Sequence, residues 1–260
     1  MKIELPDRIS DSHKYTYGRA AVFGGSMGMA GSVCLAANAV LKIGAGISYA
    51  VVPEEIFTIC QIKLTEVMVK TDSDPHSIFS AVDAVVVGPG YLSKNGIEHI
   101  MNIAQQSSKP MIIDAEGLKY IKENYNRNCV ITPHVGEFAE LLGITREKVN
   151  NNREGLAKKY AAEKNCVVLL KGKNTVVASP TGEIVINPTG GSGLSTAGSG
   201  DVLSGMIGGL LAQGLPPFKA AVTGAYIHGL AGDLAEKDMS PYSVTASDIL
   251  NYIGRAIKGV

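Results

Sequence analysis

The sequence predicts one α/β domain in which a mostly parallel sheet lies between two helical layers. Short apolar runs alternate with helix-period stretches over about six units, as in βα chains. Residues suited to a ligand follow those runs at 24–31, 88–90, 132–137 and 171–175. In a parallel sheet such strand ends share one edge, where ligands gather. Finally, a glycine-rich segment at 187–214 opens directly into a helical pattern.

Composition fits this class and excludes others. With 260 residues, 45% hydrophobic and 18% charged, the chain suits a single large domain over 1–260. The formal net charge is zero, so no general attraction to nucleic acid or acidic membranes is expected. Tryptophan is absent and aromatics are few, which argues against base-stacking surfaces. Cys34, Cys60, Cys129 and Cys166 lie far apart, mostly in apolar runs, and read as core thiols of a reducing compartment. The start, MKIELPDRIS, has no apolar signal core, and no apolar run reaches membrane-spanning length. A soluble, cytoplasmic protein is expected.

Residues 1–18 are polar and irregular. Arg19-Ala20-Ala21-Val22-Phe23 predicts a buried strand that ends at Gly24-Gly25-Ser26. A helix is expected over 29–43. Its opening, Gly28-Met29-Ala30-Gly31-Ser32, has little bulk, which suits close helix packing first and a ligand over the helix mouth second. Gly44-Ala45-Gly46 stops this helix, a strand follows over 47–52, and Pro53-Glu54-Glu55 starts the next helix. A short strand at 66–70 precedes a clearer one at 83–87. The latter leads into Gly88-Pro89-Gly90, either a rigid ligand loop or a plain tight turn.

A helix over 95–106 and a strand over 110–114 come next. Asp114 reads first as a cap for the following turn and second as a metal ligand. The strand 129–131 runs into Thr132-Pro133-His134-Val135-Gly136-Glu137. His134 and Glu137 stand three apart where a helix begins, so they share a face and suit a cleft; the alternative is a structural histidine. Residues 145–165, Arg153 among them, are charged and helical and read as a solvated face. After the strand 166–170, Lys171 stands where an ammonium meets a phosphate as a point charge. The runs 176–178 and 183–186 form a hairpin about Ser179-Pro180-Thr181-Gly182. Helices are expected at 199–213, 217–236 and 245–257, with His228 in the core.

The segment from Asn187 to Gly214 carries the chemistry. Glycines at 190, 191, 193, 198 and 200 alternate with small hydroxyl residues, then Val202, Leu203, Met206, Ile207, Leu210 and Leu211 follow at helical spacing. The first N–H groups of a helix lack internal partners, and its dipole favours negative charge there. Glycines let a phosphate approach that backbone, which makes an anion cradle. Asp201 sits at its mouth as a proton acceptor for a substrate hydroxyl. The plain alternative is that Ser199 or Asp201 only caps the helix. The loop is no Walker A motif, since GxxxxGK[ST] is absent; no Gly-x-Gly is completed to GxGxxG, and no nucleophile elbow with a triad order is present.

In order, HKYTYGRAAVFGGS, MAGSVCLAANAVLKIGAG, VVVGPGYL, IIDAEGL, ITPHVGEFAELLG, LLKGKNT and NPTGGSGLSTAGSGDVLSGMIGGLLAQG resemble the ADP-dependent NAD(P)H-hydrate dehydratases. The resemblance covers about residues 13–236 and implies a three-layer α/β/α ribokinase-like fold. It implies repair of (S)-NADHX and (S)-NADPHX, the hydrated nicotinamide cofactors, to NADH and NADPH. ADP, or ATP in some members, is the co-substrate, with AMP and phosphate released from ADP, and Mg²⁺ is the expected metal. On the matching motifs, Lys171, Gly172, Lys173, Asn174, Thr175 and Gly200 would contact the adenine nucleotide. Ala30, Gly90, His134 and Asp201 would contact the hydrated cofactor, with Asp201 catalytic. Gly198, Ser199 and Gly200 would form the phosphate loop, with Ser199 where members commonly carry Thr. No metal ligands are assigned. Gly191-Ser192 stands where members often carry Asn before Pro or a small residue. Many relatives are fused to an epimerase, which is expected here as a separate protein. The Ala-rich and Gly-rich helix faces suit a homo-oligomer. Two other readings stand beside this one: a ribokinase-fold kinase for a hydroxymethyl or hydroxyethyl group, and a nucleotide sensor without turnover.

Overall fold

A computed structural model describes residues 3–121 and 128–260; Met1 and Lys2, part of the irregular start, lie outside it. The chain begins with a short 3₁₀ turn, then alternates: β1 (Arg19–Phe23), α1 (Ala30–Lys42), β2 (Ile47–Val52), α2 (Glu54–Lys63) and β3 (Met68–Thr71). It continues through α3 (Pro75–Ala81), β4 (Ala84–Val87), α4 (Lys94–Gln106), β5 (Met111–Ile113) and β6 (Cys129–Ile131). Three helices follow, α5 (Val135–Leu142), α6 (Arg146–Asn151) and α7 (Arg153–Lys164), before β7 (Val167–Leu170). The hairpin strands β8 (Val176–Ala178) and β9 (Ile184–Ile186) lead to α8 (Ser199–Ala212), α9 (Pro217–Asp238) and α10 (Ala246–Ile257).

The sheet runs in the order β3-β2-β1-β4-β5-β6-β7-β8-β9. All pairings from β3 to β7 are parallel, and the two pairings of β8 are antiparallel. Parallel strands covered on both faces must be apolar at every position, and this is why β1, β4 and β7 read as continuous runs. The pleat sends Ala20 and Val22 into one core and Ala21 and Phe23 into the other. The first core lies under α1, α2, α8, α9 and α10, the second under α3 to α7. The expected three-layer architecture is therefore present.

Helix α8 is the buried axis of the first layer. A Cβ at Gly205 would lie 2.0 Å from the Ala36 carbonyl oxygen, so only glycine lets α8 settle onto α1. That close fit holds the opening of α8 at the carboxyl edge of the sheet. Among the described residues no helix is long and apolar enough to cross a membrane.

Candidate active site

Backbone bonds tie the strand-end loops into one surface. Gly25 N donates to Pro89 O at 2.8 Å, and Leu92 N donates to Ser26 Oγ at 2.7 Å, which joins the β1 and β4 loops. Lys171 N donates to Pro133 O at 2.8 Å, and His134 and Lys171 form a parallel bridge beyond β6 and β7. The four segments singled out in the sequence thus meet at one edge.

The glycine-rich segment closes over that edge. Gly198, in the left-handed region at φ 88°, precedes α8, and no side chain caps the helix. Neither Ser199 nor Asp201 is a cap; Ser199 N donates to Thr196 O at 3.3 Å, and the amides of Gly200 and Asp201 follow it in the first turn of α8. Ser199 is buried against His228, whose Nε2 lies 2.9 Å from Ser199 O. Burial lowers the His228 pKa to about 4, so the ring is neutral and its Nε2–H donates to that carbonyl. His228 is in the core, as expected, and pins the first turn of α8.

Asp201 faces inward from that turn. Burial first, then the negative charge of Asp114, push its carboxyl up to about 6; a hydrogen bond from Ser32 and the Lys171 charge oppose the rise. Ser32 belongs to the opening of α1, next to Ala30. At the α1 opening a Cβ at Gly28 or Gly31 would meet nothing within 4 Å, while the Gly90 loop packs closely there, a Cβ on Gly90 falling 2.9 Å from Met29 O and 2.8 Å from Ser32 Cβ; the expected close helix contact is made further along, at Gly205.

Asp114 departs from its expected role. Its side chain makes no cap bond to the following turn. It is buried, accepts from Lys171 Nζ at 2.9 Å, and accepts from the Ser204 hydroxyl. Burial alone would raise the Asp114 pKa, but the Lys171 ammonium and the Ser204 hydrogen bond hold it below the usual carboxylate range. Lys171 Nζ also lies 3.9 Å from Glu137 Oε2. Burial would lower the lysine pKa; Asp114 and Glu137 raise it, so the ammonium is firmly charged. A Cβ on Gly200 would be 3.5 Å from that nitrogen, which puts a cation against the mouth of α8.

His134 and Glu137 do share a face, and they do so as a reciprocal cap. Glu137 N donates to His134 Nδ1 at 3.0 Å, and His134 N donates to Glu137 Oε2 at 2.7 Å. The imidazole stays accessible and borders two clefts. One, of about 750 Å³, lies between Lys171, Lys173 and Thr175 on one wall and Gly190, Ser195 and Gly200 on the other. The second, of about 710 Å³, is bordered by Met29, Gly90, Tyr91, Ala115, Lys119 and Arg146. Ser199 and Gly200 face the first cleft, while Ser32, the partner of Asp201, belongs to the helix whose cap Met29 borders the second. Asp201 follows Gly200 of the first cleft and is bonded by Ser32 at the α1 opening, and it lines neither cleft itself. Lys171, Gly172, Lys173 and Thr175 border the first cleft, with Asn174 (φ 56°) at the turn joining β7 to β8. Ala30 follows Met29 at the α1 mouth.

Several contributors were not legible beforehand. Arg153, expected on a solvated face, donates to Lys173 O at 2.6 Å and Leu170 O at 3.0 Å, clamping the 171–175 turn. Its helix begins beside that turn, so the first charged residue points inward. Asp233 and Glu236, one turn apart on α9, accept from Gly190 N at 3.0 Å and Gly193 N at 2.9 Å. Asn187 Nδ2 bonds Ala225 O at 3.1 Å, anchoring the same loop to α9. These side chains carry no local motif; only their partners across the fold reveal them. Among the described residues no group of three or more His, Cys, Asp or Glu side chains is placed to hold a metal.

The comparisons agree with this geometry. A family described as NAD(P)H-hydrate dehydratase matches residues 20–255. The bifunctional NAD(P)H-hydrate repair enzyme of Moorella thermoacetica is 39% identical over 280 residues, covering 99% of this chain and 52% of its own length. The chain thus spans about half the length of such bifunctional relatives. The ADP-dependent (S)-NAD(P)H-hydrate dehydratase of Neisseria meningitidis is also 39% identical, with 88% of this chain and 81% of that protein covered. The ADP/ATP-dependent NAD(P)H-hydrate dehydratase of Bacillus subtilis, co-crystallised with ATP/Mg²⁺, superimposes with a TM-score of 0.90 at 30% identity, over 98% of this chain and 94% of that one. With that family matching residues 20–255 and these relatives 39% identical, the chain belongs to the NAD(P)H-hydrate dehydratase family.

Proposed function

We propose that this protein dehydrates (S)-NADHX and (S)-NADPHX to NADH and NADPH, consuming ADP and releasing AMP and phosphate. The observation that carries the reading is the place of Asp201 in the first turn of α8, one residue after Gly200 of the first cleft and bonded by Ser32 at the α1 opening. The first cleft, with the 171–175 turn and the 198–200 loop, is assigned to the adenine nucleotide. The second, with Gly90, His134 and the α1 mouth at Ala30, is assigned to the hydrated cofactor.

Hydroxide is a poor leaving group, so the substrate hydroxyl is first phosphorylated. Asp201 takes the hydroxyl proton as the oxygen attacks the terminal phosphoryl group of ADP, and AMP leaves. The Gly200 and Asp201 amides at the α8 start and the Lys171 ammonium hold the charge on the transferring group. The ring nitrogen's lone pair then expels phosphate, and loss of a ring proton restores the dihydropyridine. Mg²⁺, when bound, would ride on the nucleotide phosphates and neutralise part of their charge. The direct test supplies NADHX with ADP and follows the absorbance of NADH. Asp201→Asn should slow that signal by about 10²–10⁴ while nucleotide binding survives. A stable phosphorylated product under ATP would instead favour a small-alcohol kinase, and unchanged behaviour of the variant would favour a sensor.

Two further expectations extend this reading. Balanced charge and the four free, buried cysteines support a cytoplasmic enzyme that shares its metabolite with an NAD(P)HX epimerase. Ile59, Ile62 and Met68, exposed on α2 and β3, support self-association, which light scattering measures.

A further inference from the structure

The cations of the second cleft are unequally engaged. Lys119 Nζ bonds Glu116 Oε2 at 2.8 Å, and Glu140 adds to the field that holds its charge. Lys171, on the neighbouring first cleft, is held by Asp114 and Glu137. Arg146, on the same cleft wall, has no carboxylate partner among the described residues. It is the first residue of α6, immediately after the Thr145 cap, so its backbone is held by a built helix start.

Its neighbourhood is shaped for it. A Cβ at Gly136 would lie 3.1 Å from Arg146 Nη2 and 2.8 Å from His134 Cε1. The guanidinium and the imidazole thus lie over the same bare stretch of α5. Gly136 has an ordinary negative φ, so space rather than conformation calls for glycine there. A guanidinium presents a planar fork that matches two oxygens of a phosphate, which an ammonium does not. Glu116, Glu137 and Glu140 give the rest of this cleft a negative cast, and Arg146 is the counter-charge they leave uncommitted.

We propose that Arg146 is the anion anchor of the substrate cleft, where its guanidinium takes a phosphate oxygen of the hydrated dinucleotide. The proposal rests on the functional reading above and deepens it, since it assigns the end of the substrate remote from Asp201. Two sources offer that chemistry: the bridging pyrophosphate present in both substrates, and the ribose 2′-phosphate present only in NADPHX.

Arg146→Gln and Arg146→Lys in the full chain test it. The KM for NADHX or NADPHX should rise roughly tenfold or more in the glutamine variant, the scale of one lost charge-assisted phosphate contact. kcat should move less, and the KM for ADP should hold. The lysine variant, with charge but no fork, should recover part of the loss. Fluorescence titration with NADH and NADPH, which carry the same phosphates, reads binding without turnover. Parallel weakening of both assigns the pyrophosphate; weakening of NADPH alone assigns the 2′-phosphate. Equal KM values and equal dinucleotide affinities in wild type and Arg146→Gln overturn the proposal. If the wild type shows no turnover of NADHX, the functional reading falls, and the titration still decides the place of Arg146.

Discussion

Removing the charge of Asp114 should cost the fold more than any other single isosteric change at the site. In Asp114→Asn the Lys171 ammonium, on a half-buried side chain, loses its 2.9 Å partner. Breaking a buried pair from one side typically costs about 3–5 kcal/mol. Glu137 Oε2, at 3.9 Å, takes up part of that charge, so the lower end, about 3 kcal/mol, is expected. For a chain of this size that is a fall in Tm of roughly 6–12 °C. Thermal unfolding at pH 7 measures it. The double variant Asp114→Asn/Lys171→Met removes both charges and should regain much of the loss. The sign with pH follows from the depressed Asp114 pKa: the stabilisation is present above the unfolded carboxyl pKa and fades as pH falls through the lower folded value. An Asp114→Asn protein as stable as wild type, or a double variant no better than the single, would refute the pairing argument.

Other outcomes follow from the same geometry. Asp201→Asn should lower kcat by about 10²–10⁴, the usual scale for a positioned proton acceptor, with ADP binding retained in calorimetry. Because the folded pKa of Asp201 is raised to about 6, its burial favours the fold below the unfolded pKa and disfavours it as pH climbs past 6. The same variant should therefore be more stable than wild type at pH 7, by on the order of 2 kcal/mol, in denaturant melts. The acid limb of kcat should fall below a pH of about 6, and Asp114→Asn should move that limb lower, since Asp114 helps raise the Asp201 pKa. Arg153→Ala releases the Leu170 and Lys173 carbonyls and should raise the KM for ADP more than that for NADHX. Gly198→Ala places a Cβ 2.6 Å from Leu35 Cδ1 in a backbone that disfavours side chains, and should cost at least about 1–2 kcal/mol in thermal melts.

The strand-end loops were legible because their signals are local. A run such as Ala84-Val85-Val86-Val87 can only be a strand covered on both faces, and Gly88-Pro89-Gly90 must then stand at its carboxyl end. The 198–201 cradle was legible for the same reason, as glycines before a helical period. Roles that depend on a partner far along the chain were not. Asp114 looked like a cap until Lys171, 57 residues away, was found to hold it. The bare opening of α1 suggested packing, whereas the contact is made at Gly205 on another helix. Arg153 looked solvated because its charged neighbours are.

By itself the sequence determined the alternation of strand and helix, the sheet edge on which the strand-end loops gather, and the run of glycines that opens α8 beside a carboxylate. These follow from periodicity and backbone freedom, which act over a few residues. Only the tertiary structure decided that Asp201 lies beside Ser32 and close to Asp114, with a raised pKa, and that Lys171 is committed to Asp114. Burial and the distance between charges set those properties, and both are fixed by chain segments that the sequence keeps far apart.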